Sequence, residues 1–303
     1  MVDGALLLDK PVGITSNRAL QQARKLFGVS KAGHAGTLDP LASGLLLVLF
    51  GEGTKFAGPH LDDDKEYLAT LKLGEKTSTG DAEGELIETR EHEVSESELG
   101  STLQKFLGEL EQVPPMHSAL KRDGVPLYRL ARAGETVERA ARRVRISELE
   151  NIEFRPPYLR LRVRCSKGTY VRTLAEDIGA ALGSCAHLTA LRRIGSGRWR
   201  VEDAVTLDAL SSMSHALRAQ HLLPLTVLLG GFPRVELDAD QDARFRNGQT
   251  LKAFSPAAGP AAPGALLAVY GPDGRVIGLG EAQADGALRP VRLVSSKAVI
   301  ASG

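Results

Sequence analysis

Gly33-His34-Ala35-Gly36-Thr37-Leu38-Asp39-Pro40-Leu41-Ala42-Ser43-Gly44 is the stretch around which the rest of the 303-residue chain is organised. Pro40 biases Asp39 toward an extended conformation. The glycines allow a backbone or a ligand to approach closely. The stretch runs directly into residues 45–50, an apolar run of the length of a buried strand. An acidic side chain is therefore predicted in a bent, Gly-rich loop that leads into the core. The Gly-Lys-Ser/Thr ending of a phosphate-binding loop is missing. An isolated Asp-Pro is ordinarily a turn or a local cap, so the reading depends on what surrounds this one.

Upstream, residues 4–10 read as a short buried strand ended by Pro11 and Gly13. Thr15 and Ser16 are candidate caps for a helix to about residue 27, closed by Gly28. Downstream, Tyr67, Ala69, Leu71 and Leu73 share one face of a strand over 66–73. Residues 74–98 are acidic and broken by Gly74, Gly80 and Gly84, which predicts a long surface loop. Residues 99–110 can form a helix. Residues 114–145 are weakly periodic and carry Pro, Gly and Arg, which predicts a mobile basic insertion at about 115–145. Over 158–165, Leu159, Leu161, Val163 and Cys165 alternate with Arg160, Arg162 and Arg164, predicting a half-buried strand with a basic outer face suited to phosphates. Thr173–Glu176 has a capping-box pattern, with Leu174, Ile178, Ala181 and Leu182 on one apolar helix face. Another strand is predicted over 197–201. Composition shifts at Gly230-Gly231, and short strand-like runs at 266–270 and 276–279 predict a small β-rich C-terminal domain. The expected division is thus 1–230 and 231–303.

Composition narrows the class. With 43% hydrophobic and 25% charged residues the chain reads as an ordinary soluble globular protein. No run of 18 or more apolar residues suggests a membrane span, and no basic segment followed by an apolar core suggests a cleaved leader. Cys165 and Cys185 are spaced neither for zinc nor for a disulfide framework, so a cytoplasmic protein with reduced thiols is expected. The net charge of +1 conceals an asymmetry: residues 115–200 hold 18 Lys+Arg and 8 Asp+Glu, leaving 20 and 29 elsewhere. A basic segment in a neutral chain points to a local polyanion-binding face.

The 33–44 string resembles the catalytic motif of the TruB family of pseudouridine synthases. Four further matches follow the family's order: Leu8-Asp9-Lys10-Pro11-Val12-Gly13; Asp64-Lys65-Glu66-Tyr67 with Leu73-Gly74 and Thr79-Gly80-Asp81; 165–174 (Cys-Ser-Lys-Gly-Thr-Tyr-Val-Arg-Thr-Leu); and Ala186-His187-Leu188 with Leu191-Arg192-Arg193. Together they cover roughly residues 4–210. The resemblance implies an α/β (α+β) pseudouridine synthase fold with a mixed, largely antiparallel central sheet, and a C-terminal domain similar to a PUA RNA-binding domain. It implies a stand-alone isomerase converting uridine to pseudouridine at position 55 in the T arm of tRNA. No metal and no cofactor is implied for this redox-neutral reaction, and a monomer without an obligate protein partner is expected.

By the same resemblance, Asp39 is the catalytic carboxylate, attacking the base or sugar or removing a ribose proton. Arg172 pairs with it and opposes the rise in pKa that burial causes. Tyr67 stacks on the target uracil and can exchange a proton. His34 lies in the RNA path, Leu191 packs on the base, and Lys10 supports the loop. Arg160, Arg162, Arg164 and Lys167 are read as substrate-binding residues. Two alternatives remain: a non-catalytic RNA-binding or tRNA-folding protein on the same scaffold, and the guide-RNA-dependent branch of the superfamily. The presence of Asp39, Tyr67 and Arg172 argues against the first. The first motif begins near residue 4, which leaves no room for the N-terminal extension expected of the second.

Overall fold

The computed structural model describes residues 2–295 except 91, 119, 123, 253, 255, 257 and 258. The first strand and helix form as expected: β1 (Gly4–Lys10) and α1 (Ser16–Leu26), with Thr15 accepting from the Arg18 N–H as N-cap. The Gly-rich stretch is more ordered than expected. Its first residues form β2 (Ala32–Ala35), antiparallel to β3 (Ala42–Phe50), which starts before the apolar run does. After α2 (Ala57–Leu61) comes β4 (Lys65–Leu73), the strand expected from alternation.

Three expectations are then corrected. Residues 74–98 are not one loop, because β5 (Glu75–Thr77) and β6 (Leu86–Thr89) pair as a hairpin. The expected helix is earlier and shorter, α3 (Glu96–Gln104), capped by Ser95. Gly108 takes φ +95°, and the chain leaves as β7 (Gly108–Gln112), so Leu110 serves a strand instead. The basic insertion holds β8 (Lys121–Arg122), β9 (Val125–Pro126) and α4 (Leu127–Arg132), but its last residues belong to β10 (Arg142–Arg155) and pair with β7. Residues 142–145 are therefore framework.

The Arg-alternating segment is β11 (Tyr158–Cys165), as expected. The capping box is not formed: α5 (Val171–Ala181) begins before Thr173, whose hydroxyl is buried without a partner. Gln112 fastens the residue that precedes the helix, accepting from the Tyr170 N–H at 3.0 Å and donating to the Tyr170 carbonyl at 3.3 Å. Leu174, Ala175, Ile178 and Leu182 are buried, whereas Ala181 is exposed. β12 (Ala186–Ser196) follows; of the strand expected over 197–201 only β13 (Trp199–Arg200) forms. Next come β14 (Val205–Thr206), α6 (Leu207–Ser212), α7 (His215–Ala219) and α8 (Leu225–Leu228). The chain ends in β15 (Arg234–Glu236), α9 (Ala239–Arg246), β16 (Leu266–Tyr270), β17 (Val276–Ala282) and β18 (Leu288–Leu293).

The main sheet runs β14-β1-β3-β12-β4-β11-β10-β7, with β13 on β12 and β2 on β3. Only β1/β14 and β3/β12 are parallel, so the sheet is mixed and largely antiparallel. Its apolar patterning follows from what covers it. β1 and β3 are apolar on both faces because both are buried. Leu6, Leu8, Leu46 and Val48 pack with α1, while Leu7, Leu45, Leu47 and Leu49 share a core with Tyr270, Val276 and Leu279 of the four-stranded C-terminal sheet β15-β16-β17-β18. A polar clasp borders that contact: Lys55 Nζ donates to Glu52 at 2.7 Å and to the Leu293 carbonyl at 2.9 Å, and the Ser295 N–H donates to Glu52 at 2.6 Å. β4 and β11 bury one face only, beneath α3 and α5, which is why they alternate.

Candidate active site

Strand register assembles the site. β12 lies between β3 and β4, so Leu191 stands opposite Ala42 and Ala69, and Arg193 opposite Gly44 and Tyr67. The exit of the Asp39 loop is thereby placed beside Tyr67. Close approach requires glycine at position 44, which has φ +100°; a Cβ there would lie 2.2 Å from the Arg193 carbonyl oxygen.

The backbone on both sides of Asp39 is fastened. The Ser16 hydroxyl accepts from the Leu38 N–H at 2.7 Å and donates to the Leu38 carbonyl at 3.0 Å. The Gly13 N–H donates to the Pro40 carbonyl at 2.8 Å, and the Ala42 N–H to the Asp39 carbonyl at 3.1 Å. Lys10, fully buried, donates to the carbonyls of Pro11 (2.9 Å) and Ile14 (2.7 Å) and so steadies the turn carrying Gly13. Burial lowers the pKa of Lys10 to about 8.

Arg172 projects from the first turn of α5 between two carboxylates. Its guanidinium is 2.9 Å from Asp39 Oδ2 and 3.5 Å from Asp81 Oδ2, and it donates to the carbonyls of Thr79 (3.2 Å) and His117 (2.7 Å). Arg172 and Asp81 are buried, whereas the Asp39 side chain keeps 43% of its exposure and opens on the cavity. Desolvation raises the pKa of Asp39 above the ordinary carboxylate range; Arg172 opposes that rise, as expected, without cancelling it, and Asp81 adds to it. The cavity, of about 600 Å³, is lined by Asp39, Tyr67, Arg172, Leu191, Lys167 and Tyr170 among others. Five of the sequence-designated residues therefore meet in one concavity, with a carboxylate, a cation, a phenol and an apolar side chain at its wall.

Tyr67 is half-buried and stands across the β12/β4 ladder from Arg193, with which it lines the cavity; burial raises its phenol pKa and the Arg193 charge pulls it back. His34, on β2, does not line this cavity; its Nδ1 is buried without a partner, and burial, then Arg193, lower its pKa. The basic face of β11 is less free than its composition suggests. Arg162 donates to Glu66 at 2.6 Å and Arg164 to Glu148 at 3.2 Å, so two of the three arginines are already paired. Arg160 has no carboxylate partner among the described residues and lines an adjoining groove with Leu191 and Tyr158. Lys167 pairs with Asp62 at 2.8 Å.

Sequence reading assigned no role to Asp81, Tyr170, Ser16, Gln112 or Arg193. Asp81, Tyr170 and Arg193 lie inside the family motifs, where an acidic residue after Thr79-Gly80, an aromatic two residues before Arg172 and a basic residue two after Leu191 are available signals. Ser16 was read only as a cap; Gln112 carries no signal. Among the described residues no group of three or more His, Cys, Asp or Glu could hold a metal ion, and no helix is long and apolar enough to cross a membrane.

Comparison with known proteins adds the following. Residues 24–171 match the TruB family pseudouridylate synthase N-terminal domain, 172–229 the tRNA pseudouridylate synthase B C-terminal domain, and 233–294 the pseudouridine synthase II TruB C-terminal model. The chain is 54% identical over 294 residues to tRNA pseudouridine synthase B of Burkholderia pseudomallei (97% of each chain), and 53% identical over 298 residues to that of Aromatoleum aromaticum (98% of this chain, 94% of the relative). Among solved structures, a crystal structure of a Cbf5-Nop10-Gar1 complex matches with TM-score 0.72 at 26% identity, covering 92% of this chain and 78% of that one.

Proposed function

The chain belongs to the TruB family of pseudouridine synthases, and from that premise we propose that it is a stand-alone tRNA pseudouridine synthase acting on uridine 55 of the T arm, with Asp39 as the catalytic carboxylate. The observation that carries this reading is the Asp39–Arg172 pair, 2.9 Å apart, on the wall of a cavity that also presents Tyr67 and Leu191. The relatives named tRNA pseudouridine synthase B match over nearly their whole length, which favours tRNA as substrate and enzyme over binding protein.

The target uridine leaves its stack to reach the cavity, at a cost of a few kcal/mol. Tyr67 and Leu191 offset part of that cost by contact with the extruded ring. The C1′–N1 bond then breaks with its electron pair staying on uracil. Asp39 either captures C1′ or removes the C2′ proton. Uracil turns and C5 bonds to C1′, either displacing the Asp39 carboxylate from C1′ or while Asp39 returns the proton to C2′; C5 then loses its proton and N1 gains one, so atoms and charge balance. Arg172 keeps the carboxylate oriented and opposes its protonation.

Residues 1–230 form the catalytic domain in this reading, and 231–303 a PUA-like RNA-binding domain. The protein works in the cytoplasm as a monomer, with the tRNA T arm as its macromolecular partner. A carbodiimide primer-extension map of an unmodified tRNA transcript tests the site assignment. A single new stop at uridine 55 is expected; stops elsewhere, or none, overturn it.

A further inference from the structure

Arg193 is among the largest fully buried side chains of the molecule, at 1% exposure, and it carries a charge. Guanidinium stays protonated, and a buried charge is costly unless paired. Among the described residues no carboxylate lies within ion-pair distance of it. Its Nε donates to the Leu45 carbonyl at 2.6 Å and its Nη2 to the Gly36 carbonyl at 3.1 Å. Gly36, at φ +88°, makes room: a Cβ there would sit 3.2 Å from Arg193 Nη1. Tyr67 stands directly across the β12/β4 ladder, and both residues line the cavity. Two further cations, Lys10 and Lys65, lie near enough for the Arg193 charge to be felt by both. A positive floor thus lies behind a neutral phenol on the cavity wall.

We propose that Arg193 is a positioning residue for the reaction: from its place beside Tyr67 on the cavity wall it sets a fixed positive charge behind the ring that becomes anionic and strengthens the phenol as a donor to that ring. This rests on the pseudouridine synthase reading. When the C1′–N1 bond breaks, the electron pair remains on uracil until C5 bonds to C1′. During that interval the ring is an anion. A hydroxyl beside a fixed cation is a stronger donor to such an anion, and a charge already in place needs no reorganisation at that moment. The groups facing Tyr67 are Arg193 from β12, Cys165 from β11 and Asp39 from the loop; those near Arg193 also include His34 on β2.

The test is a double-mutant cycle. Single-turnover tritium release from a tRNA transcript labelled at uridine C5 is measured for the native protein, Arg193→Gln, Arg193→Lys, Tyr67→Phe and the two double variants, with tRNA binding followed separately. Arg193→Gln is expected to slow release by about 10²-fold, in the range of a lost preoriented donor, with tRNA affinity changed by less than about threefold. In the Tyr67→Phe background the same change costs less than about threefold, because the coupling runs through the phenol. Arg193→Lys, which keeps the charge, recovers at least about tenfold. Equal losses in both backgrounds, with no recovery by Arg193→Lys, would mean that Arg193 only staples the loop, and would overturn the proposal. If Arg193→Gln does not fold, Arg193→Lys in the two Tyr67 backgrounds carries the same comparison. Absence of release from the native protein defeats the functional reading itself; an active native protein with additive losses defeats this inference alone.

Discussion

Ser16 clamps the peptide unit of Leu38 from both ends, accepting from its N–H at 2.7 Å and donating to its carbonyl at 3.0 Å. Leu38 precedes Asp39, so a buried hydroxyl on α1 sets where the carboxylate starts. Ser16→Ala removes both bonds, at about 0.5–1.5 kcal/mol each. The expected outcome is a modest fall in Tm with a loss of roughly 10–10² in single-turnover rate, since small misplacements are costly in catalysis. An unchanged rate at full occupancy would show that the loop is held without Ser16.

Arg172 shields Asp81, which is 3% exposed. Arg172→Met leaves that carboxylate buried beside an apolar side chain and is expected to destabilise by about 3–5 kcal/mol. Adding Asp81→Asn to Arg172→Met recovers part of this in a urea melt while leaving activity absent. Equal stability of single and double variants would contradict the pairing.

The raised pKa of Asp39 has two consequences of opposite kind. Its reactive form is the carboxylate, so the rate falls as pH drops through a value above the ordinary ~3.9. The fold, by contrast, prefers the proton: ionisation penalises the native state above the folded pKa, and that penalty is relieved as pH falls toward the unfolded pKa. Asp39→Asn therefore abolishes turnover and raises Tm at neutral pH. A lower Tm for Asp39→Asn would show that its pairing with Arg172 outweighs desolvation.

On the face of β11, Arg160 and Arg162 are expected to behave differently. Arg160→Gln weakens tRNA binding and reduces the slope of log K against log salt by about 0.7–0.9. Arg162→Gln leaves Glu66, 7% exposed, without its partner and shows mainly as a fall in Tm. Equal salt slopes for both variants would contradict this division.

Elements whose burial is decided locally were legible in the sequence. β1, β4 and β11 follow from apolar runs or alternation, and Asp39, Tyr67, Arg172 and Leu191 meet as the family motifs imply. β12 was not legible, because Leu191-Arg192-Arg193 breaks apolar alternation; Arg192 is paired with Asp9 at 2.7 Å and Arg193 is buried on backbone carbonyls. The start of α5 is not legible locally because Tyr170, the residue at its N-cap, is held by Gln112, 58 residues upstream. Charge counting overstated the free basic face, since Glu66 and Glu148 reach Arg162 and Arg164 only through strand register.

The most direct measurement is tritium release from an unmodified tRNA transcript labelled at uridine C5, with the native protein beside Asp39→Asn. Release by the native protein alone, with tRNA bound by both and no guide RNA added, is the predicted result. Tight binding without release from the native protein, or release by Asp39→Asn at a comparable rate, would contradict it.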